Sequence, residues 1–324
     1  MKVMRLLKSV MGLFALCTGM AVAAPSNTIT FLVGFPPGGS TDTIARVLAE
    51  NVSKELNRTV LVENRPGAGG RIAAVALRNS RPEDSTYLIM PNAVAIFNHL
   101  LYTTDQLGYD VLKDMEPVAI ITEGPIGIAV NADLGINTIG EYVEWVKKSG
   151  KPGFFGTAGQ GGQTHFSGLA FGKAAGIDMS VVPYRGNGPM ITDLIGGQVP
   201  AGVSVVGDLL SHVQSGRVNL LAIFGDKRSP LVPDVPTLKE SGIDVVAGAA
   251  WTGIWARKNA PADEVARMRE AIRKALQKPE VQETFRRANL LTVDIGGEEM
   301  GRMLNEEMTF WKPIIDASGF TPEK

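Results

Sequence analysis

From residue 27 onward, short apolar runs rich in β-branched residues alternate with glycine-rich breaks and amphipathic stretches. Residues 29–33 (Ile-Thr-Phe-Leu-Val) form the first run and end in the breaker Gly34-Phe35-Pro36-Pro37-Gly38-Gly39. Ser40-Thr41-Asp42 then opens a predicted helix that reaches residue 56. Residues 60–62 read as a second strand, Gly67-Ala68-Gly69-Gly70 opens a helix to residue 79, and residues 87–90 read as a third strand. This strand–helix–strand rhythm predicts a mostly parallel sheet with helices on its faces.

The rhythm continues with apolar runs at 118–121 and 127–130 and a helical pattern at 139–149. Phe154-Phe155 then precedes a second glycine loop, Gly156-Thr157-Ala158-Gly159-Gln160-Gly161-Gly162, and a helix predicted from 164 to 175 repeats the first motif. Val181-Val182, the loop Tyr184-Arg185-Gly186-Asn187-Gly188-Pro189, a helix at 190–195 and a buried run at 218–224 complete a second sheet. Val265, Met268, Ile272 and Leu276 share one helical face, as do Met300, Met303, Leu304, Met308 and Trp311, which predicts two covering helices near the end. Extended stretches near 124–130 and 246–256 are expected to cross between the sheets. The expected organisation is therefore a discontinuous first domain, 24–125 plus 250–324, and a second domain, 126–249.

The first residues read as an export signal. Lys2, Arg5 and Lys8 precede a short apolar stretch and Ala21-Val22-Ala23, so cleavage is expected after Ala23, giving a leader of 1–23 and a periplasmic location. The single cysteine, Cys17, lies inside that leader, and Leu16 before it does not suit a lipoprotein signal. With 32 basic and 33 acidic residues, no basic excess suggests a nucleic-acid partner, and removal of the leader takes the net charge from −1 to about −4. Beyond residue 25 no apolar run is long enough to span a bilayer.

The three strand-to-helix glycine loops carry the candidate chemistry. Glycine permits close approach of a ligand to the backbone, and a helix start offers unpaired N–H groups with a positive dipole end, which together suit an anion. In open α/β sheets such loops border the ligand crevice. Neither a phosphate loop nor G-x-G-x-x-G is completed, the serine after Gly38-Gly39 is not in G-x-S-x-G, and neither H-E-x-x-H nor a cysteine pair is present. No cofactor, metal or catalytic residue is expected. His165, at a predicted helix start, and Arg185, suited to gripping a carboxylate, are ligand candidates. Their plainer readings are a packed imidazole and a solvated or internally paired guanidinium. Asp208 reads as a helix N-cap, or else as the recognition group for a cation or hydroxyl.

Phe35-Pro-Pro-Gly-Gly-Ser-Thr-Asp42 with Ala45-Arg46, Val62-Glu-Asn-Arg-Pro-Gly-Ala-Gly-Gly70, Val182-Pro-Tyr-Arg-Gly186, Asp193-Leu-Ile-Gly-Gly-Gln-Val199 and Lys227-Arg-Ser-Pro230 with Asp234-Val-Pro-Thr237 occur in an order that resembles the Bug family. These are TctC-like solute receptors of tripartite tricarboxylate transporters. The resemblance implies a two-domain type II periplasmic-binding-protein fold that closes on a small carboxylate, works as a monomer, and delivers its ligand to membrane transporter subunits or a sensor kinase. It also implies that Pro37, Gly38, Gly39, Ser40 and Asp42 form one jaw, and that Ala158, Gly159, Gly161, Gly162, Thr164 and His165 form the other with Tyr184, Arg185 and Gly186. Ala93 would then lie on the floor and Asp208 would face an amino group. After Gln198-Val199 the chain departs from the family pattern, reading Pro200-Ala-Gly-Val-Ser-Val-Val-Gly-Asp208. A two-component ligand sensor and an exported α/β enzyme acting on a carboxylate through His165 and Asp42 are the competing classes.

Overall fold

The computed structural model describes residues 28–245 and 247–322; the expected leader lies outside them. Among the described residues the strands are β1 (Thr28–Val33), β2 (Thr59–Asn64), β3 (Thr86–Pro91), β4 (Met115–Gly124), β5 (Ile126–Asn131), β6 (Gly153–Thr157), β7 (Met179–Pro183), β8 (Ala201–Val205), β9 (Val218–Ile223), β10 (Ala250–Arg257) and β11 (Leu291–Gly296). They form two sheets, ordered β11-β4-β10-β3-β1-β2 and β7-β6-β8-β5-β9. Helices flank both.

Each sheet is parallel at one side and antiparallel at the other. β1 pairs in parallel with β2 and β3, and β6 pairs in parallel with β7 and β8, as the strand–helix–strand rhythm requires. The antiparallel ladders are those of β10 between β3 and β4, of β11 on the other side of β4, and of β5 between β8 and β9. Only Pro125 separates β4 from β5, so the chain passes directly from one sheet to the other there. It returns through the irregular stretch between β9 and β10.

The covering helices follow from their sequence patterns. In the helix Ser40–Leu56, Ile44, Ala45, Leu48, Ala49 and Val52 recur at helical spacing and are buried, and the helix stops at Asn57 in the left-handed region. The helix Ile139–Ser149 begins with a reciprocal Thr138–Glu141 capping box and ends at Gly150, φ 64°. The C-terminal helix Gly297–Ser318 packs on β4 and also on the helix Gln163–Ala175 that follows the second glycine loop. Phe97, beyond β3, stacks on Phe166 at 5.7 Å and lies 5.2 Å from Trp311, so an aromatic cluster ties the two sheet systems together on one side.

Residues 200–208, where the chain departs from the family pattern, fold as β8 followed by the start of the helix Val206–Gln214. β8 is buried on both faces, so Gly202 and Ser204 interrupt its hydrophobic run without exposing it.

Candidate functional site

Two helix starts are built to the same plan. Gly38-Gly39-Ser40-Thr41-Asp42 and Gly161-Gly162-Gln163-Thr164-His165 each place a glycine N-cap before the helix and a polar side chain at its third position. In both, that side chain turns back and accepts a hydrogen bond from the backbone N–H four residues earlier: Gly38 N–H to Asp42 Oδ2 at 2.9 Å, and Gly161 N–H to His165 Nδ1 at 3.0 Å. The side chain braces the loop, and the N–H groups of the first helical turn are left for the space beyond it.

The braces differ in chemistry. Asp42 is 2% exposed and also accepts from Arg46 Nε and from Asn64 Nδ2, each at 2.9 Å. The Arg46 hydrogen bond above all, joined by those of Gly38 and Asn64, outweighs burial and holds the carboxyl down to about 2. His165 is 3% exposed, stacked on Phe166 at 4.8 Å and met edge-on by Phe320 at 5.4 Å. Burial pushes it down to about 4, so the ring is neutral near pH 7, and the acceptor role of Nδ1 places the proton on Nε2.

Between the two helix starts lies a cavity of about 290 Å³. Ser40 and Thr41 line it from the first helix, Gly162, Gln163 and Thr164 from the second, and Val205, Gly207 and Asp208 from the start of the helix Val206–Gln214. Asn92 and Ala93 come from the turn after β3, Thr122 and Glu123 from β4, and Trp251 and Thr252 from β10. Direct bonds cross the cleft at both margins. Asn92 Nδ2 donates to Gln163 Oε1 at 3.1 Å and Gln163 Nε2 to the Gly248 carbonyl at 2.8 Å, while Asn289 Nδ2 donates to the Gly207 carbonyl at 3.0 Å. Behind Asn92, the Glu307 carboxyl accepts from Trp251 Nε1 and from Asn92 Nδ2, and burial pushes it up to about 7.

Of the residues singled out by sequence, Ser40, Ala93, Gly162, Thr164 and Asp208 come together on this cavity. Pro37, Gly38, Gly39, Ala158, Gly159 and Gly161 belong to the loops that deliver the helix starts and do not line it, and Asp42 and His165 stand behind as braces. Tyr184, Arg185 and Gly186 are also absent from its lining: Tyr184 donates to Asp193 at 2.9 Å, Arg185 is exposed, and Gly186, φ 102°, caps the helix Asn187–Ile195. Asp208 is not an N-cap, because the helix starts at Val206 and Val205 holds the cap position. Its carboxylate opens to the cleft, accepts from Asn187 Nδ2 at 2.5 Å, and is pushed up chiefly by the protein crowding its water.

Thr41, Asn92, Thr122, Glu123, Gln163, Trp251 and Asn289 also shape the cavity and were not marked by sequence. Gln163 had a usable signal, since it sits directly after the second Gly-Gly. The others are polar or aromatic residues at strand and helix ends that only the packing of the sheets brings to one place.

The family model of the tripartite tricarboxylate transporter family receptor matches residues 44–320. The chain belongs to this receptor family. BugT of Bordetella pertussis is 30% identical, aligned over 98% of this chain and 99% of BugT. The structure of the periplasmic binding protein BugD superposes with a TM-score of 0.75 at 28% identity, covering 91% of this chain and 99% of BugD. The structure of MatC from Rhodopseudomonas palustris with bound malate superposes at 0.74 with 27% identity, covering 89% of this chain and 98% of MatC. The receptor is thus a solute-binding protein of the Bug and TctC type and not an enzyme, with the two-domain binding-protein architecture of those neighbours.

Proposed function

We propose that the receptor works in the periplasm, captures a small carboxylate between its two sheets, and presents the closed form to the membrane subunits of a tripartite tricarboxylate transporter. The proposed jaws are residues 24–125 with 250–324, and residues 126–249, after loss of a leader ending at Ala23. The observation that carries this reading is the meeting of the first turns at Ser40–Thr41 and Gly162–Thr164 on one cavity. Each supplies backbone donors and a positive dipole end, so a carboxylate held between them gains hydrogen bonds from both jaws only when the cleft is closed. A ligand that contacts both jaws biases the open–closed equilibrium by its differential affinity, which turns occupancy into a change of surface. The bound malate of MatC supports the chemical class, and the cavity volume suits a ligand of that size.

The test is a thermal-shift titration of the refolded protein, residues 24–324, with a panel of mono-, di- and tricarboxylates. A ligand at a hundred times its dissociation constant adds about 2.7 kcal/mol to stability and moves the melting temperature by several degrees. A folded protein whose melting temperature is unmoved by every carboxylate overturns the reading.

A further inference from the structure

The cavity walls carry charge of one sign only. Glu123 and Asp208 line the cavity, whereas the lining includes no lysine, arginine or histidine. Glu123 is the penultimate residue of β4, next to the point where the chain crosses to the second sheet. Its backbone is fixed by pairing with Trp251 of β10 and Leu291 of β11. Its half-buried side chain has no hydrogen bond or ion pair among the described residues, and burial alone pushes its carboxyl up. The cations nearest along the fold do not serve it. Glu123 also borders an adjoining depression together with Lys227 and Arg228, but neither is ion-paired with it: Arg228 is held by Glu240 at 2.9 Å, and Arg185 lies outside the cavity. Asp208 receives only the Asn187 amide.

We infer that Glu123 is a specificity-determining residue of the cleft that selects a carboxylate bearing an ammonium group over a plain dicarboxylate, adding a second acid to the amino-facing role that the family resemblance implies for Asp208. The inference rests on the carboxylate reading above. With one carboxylate of the ligand on the paired helix starts, the rest of the molecule lies against the walls that carry Glu123 and Asp208. Closure removes the water that solvates these two acids. A second ligand carboxylate there meets like charge in a drying site, whereas an ammonium offers three donors and the opposite charge to acceptors that have few other partners.

Calorimetric titration at pH 7.5 with two matched pairs, succinate against L-aspartate and glutarate against L-glutamate, tests this directly. In at least one pair the amino member is expected to bind about tenfold tighter than its plain partner. In Glu123→Gln the two members are expected to move in opposite directions: about tenfold weaker for the amino acid, and severalfold tighter for the dicarboxylate, which loses a repelling charge. Asp208→Asn makes the same change from the other wall, independently of the packing at the crossing, and is expected to give the same opposed shifts. Dicarboxylates that bind as tightly as their amino partners in both pairs overturn the inference and leave the carboxylate reading standing. So does a Glu123→Gln variant that weakens both members of a pair alike, the mark of a purely structural role. Failure of either member of either pair to bind, in a protein that also ignores the wider carboxylate panel, overturns both readings.

Discussion

The two glycine loops solve one geometrical problem with opposite electrostatics. In the first, the third helical residue is a carboxylate locked by Arg46, Asn64 and Gly38; in the second it is a neutral imidazole enclosed by Phe166 and Phe320. Both braces tie down an N–H just outside the helix and leave the first-turn donors free. An anionic ligand nevertheless meets different fields. The first helix start already holds a negative charge, offset by Arg46, whereas the second presents its dipole end with no charge of its own. The same Gly-Gly-x-Thr spacing therefore specifies a shape, and the residue that closes it sets the local field.

The largest expected effect is on the first brace. Asp42→Ala removes from a buried position the acceptor shared by Arg46, Asn64 and Gly38, leaving Asn64 Nδ2 only the Phe35 carbonyl, and is expected to cost about 3 kcal/mol in urea unfolding. Ligand binding should be lost with it as the helix start loosens. If the variant unfolds at the wild-type midpoint, Asp42 is not the brace.

Acid separates the two braces by window. The folded His165 value lies near 4, below the ordinary 6.5, so its stabilisation is full above about pH 6.5 and is lost as the pH falls through 4; the integrated loss is about 3 kcal/mol. Asp42, lowered from 3.8 to about 2, loses its contribution only below about pH 4. Glu307 works in the opposite direction. Its folded value near 7 exceeds 4.5, so protonation between those values favours the folded state and partly masks the histidine. The variant His165→Gln keeps an acceptor for Gly161 and has no titration, so it should gain stability relative to wild type on acidification from pH 7 to 4.5. Parallel stability–pH curves for the two proteins would contradict the buried neutral imidazole.

The glycines give a smaller contrast. Gly161 has φ +75°, and a Cβ there would come within 2.9 Å of Phe320, so Gly161→Ala is expected to cost about 2 kcal/mol. Gly38 has φ +88° with open space around it, so Gly38→Ala should show only the backbone cost, about 1 kcal/mol. Equal destabilisation in denaturant titrations would remove the steric difference between the loops.

Much of this was legible along the chain because it rests on local rules. β1, the loop from Gly34 and the helix Ser40–Leu56 announce themselves by a β-branched run, a breaker and a 3.6-residue period, and the second loop repeats the order. Asp42 and His165 stood out for the same reason, yet their roles were not legible. A polar side chain at a helix start points toward ligand or back toward its own loop according to what surrounds it, and Asn64 and Phe320 arrive from distant parts of the chain. β8 and β11 were hidden because glycine, serine, threonine and aspartate interrupt their apolar positions.

The sequence by itself determined two α/β units, their loops and their helix starts, because propensity, periodicity and capping act within a few residues. Only the tertiary structure decided which residues share the cavity. Glu123, Trp251 and Asn289 reach it because β4, β10 and the turn before β11 end at the same edge of one sheet, and Asp208 faces them from a helix after β8 of the other. That convergence depends on long-range packing of the strands, and the charge it assembles at the ligand's far end is a property of the assembled walls rather than of any motif.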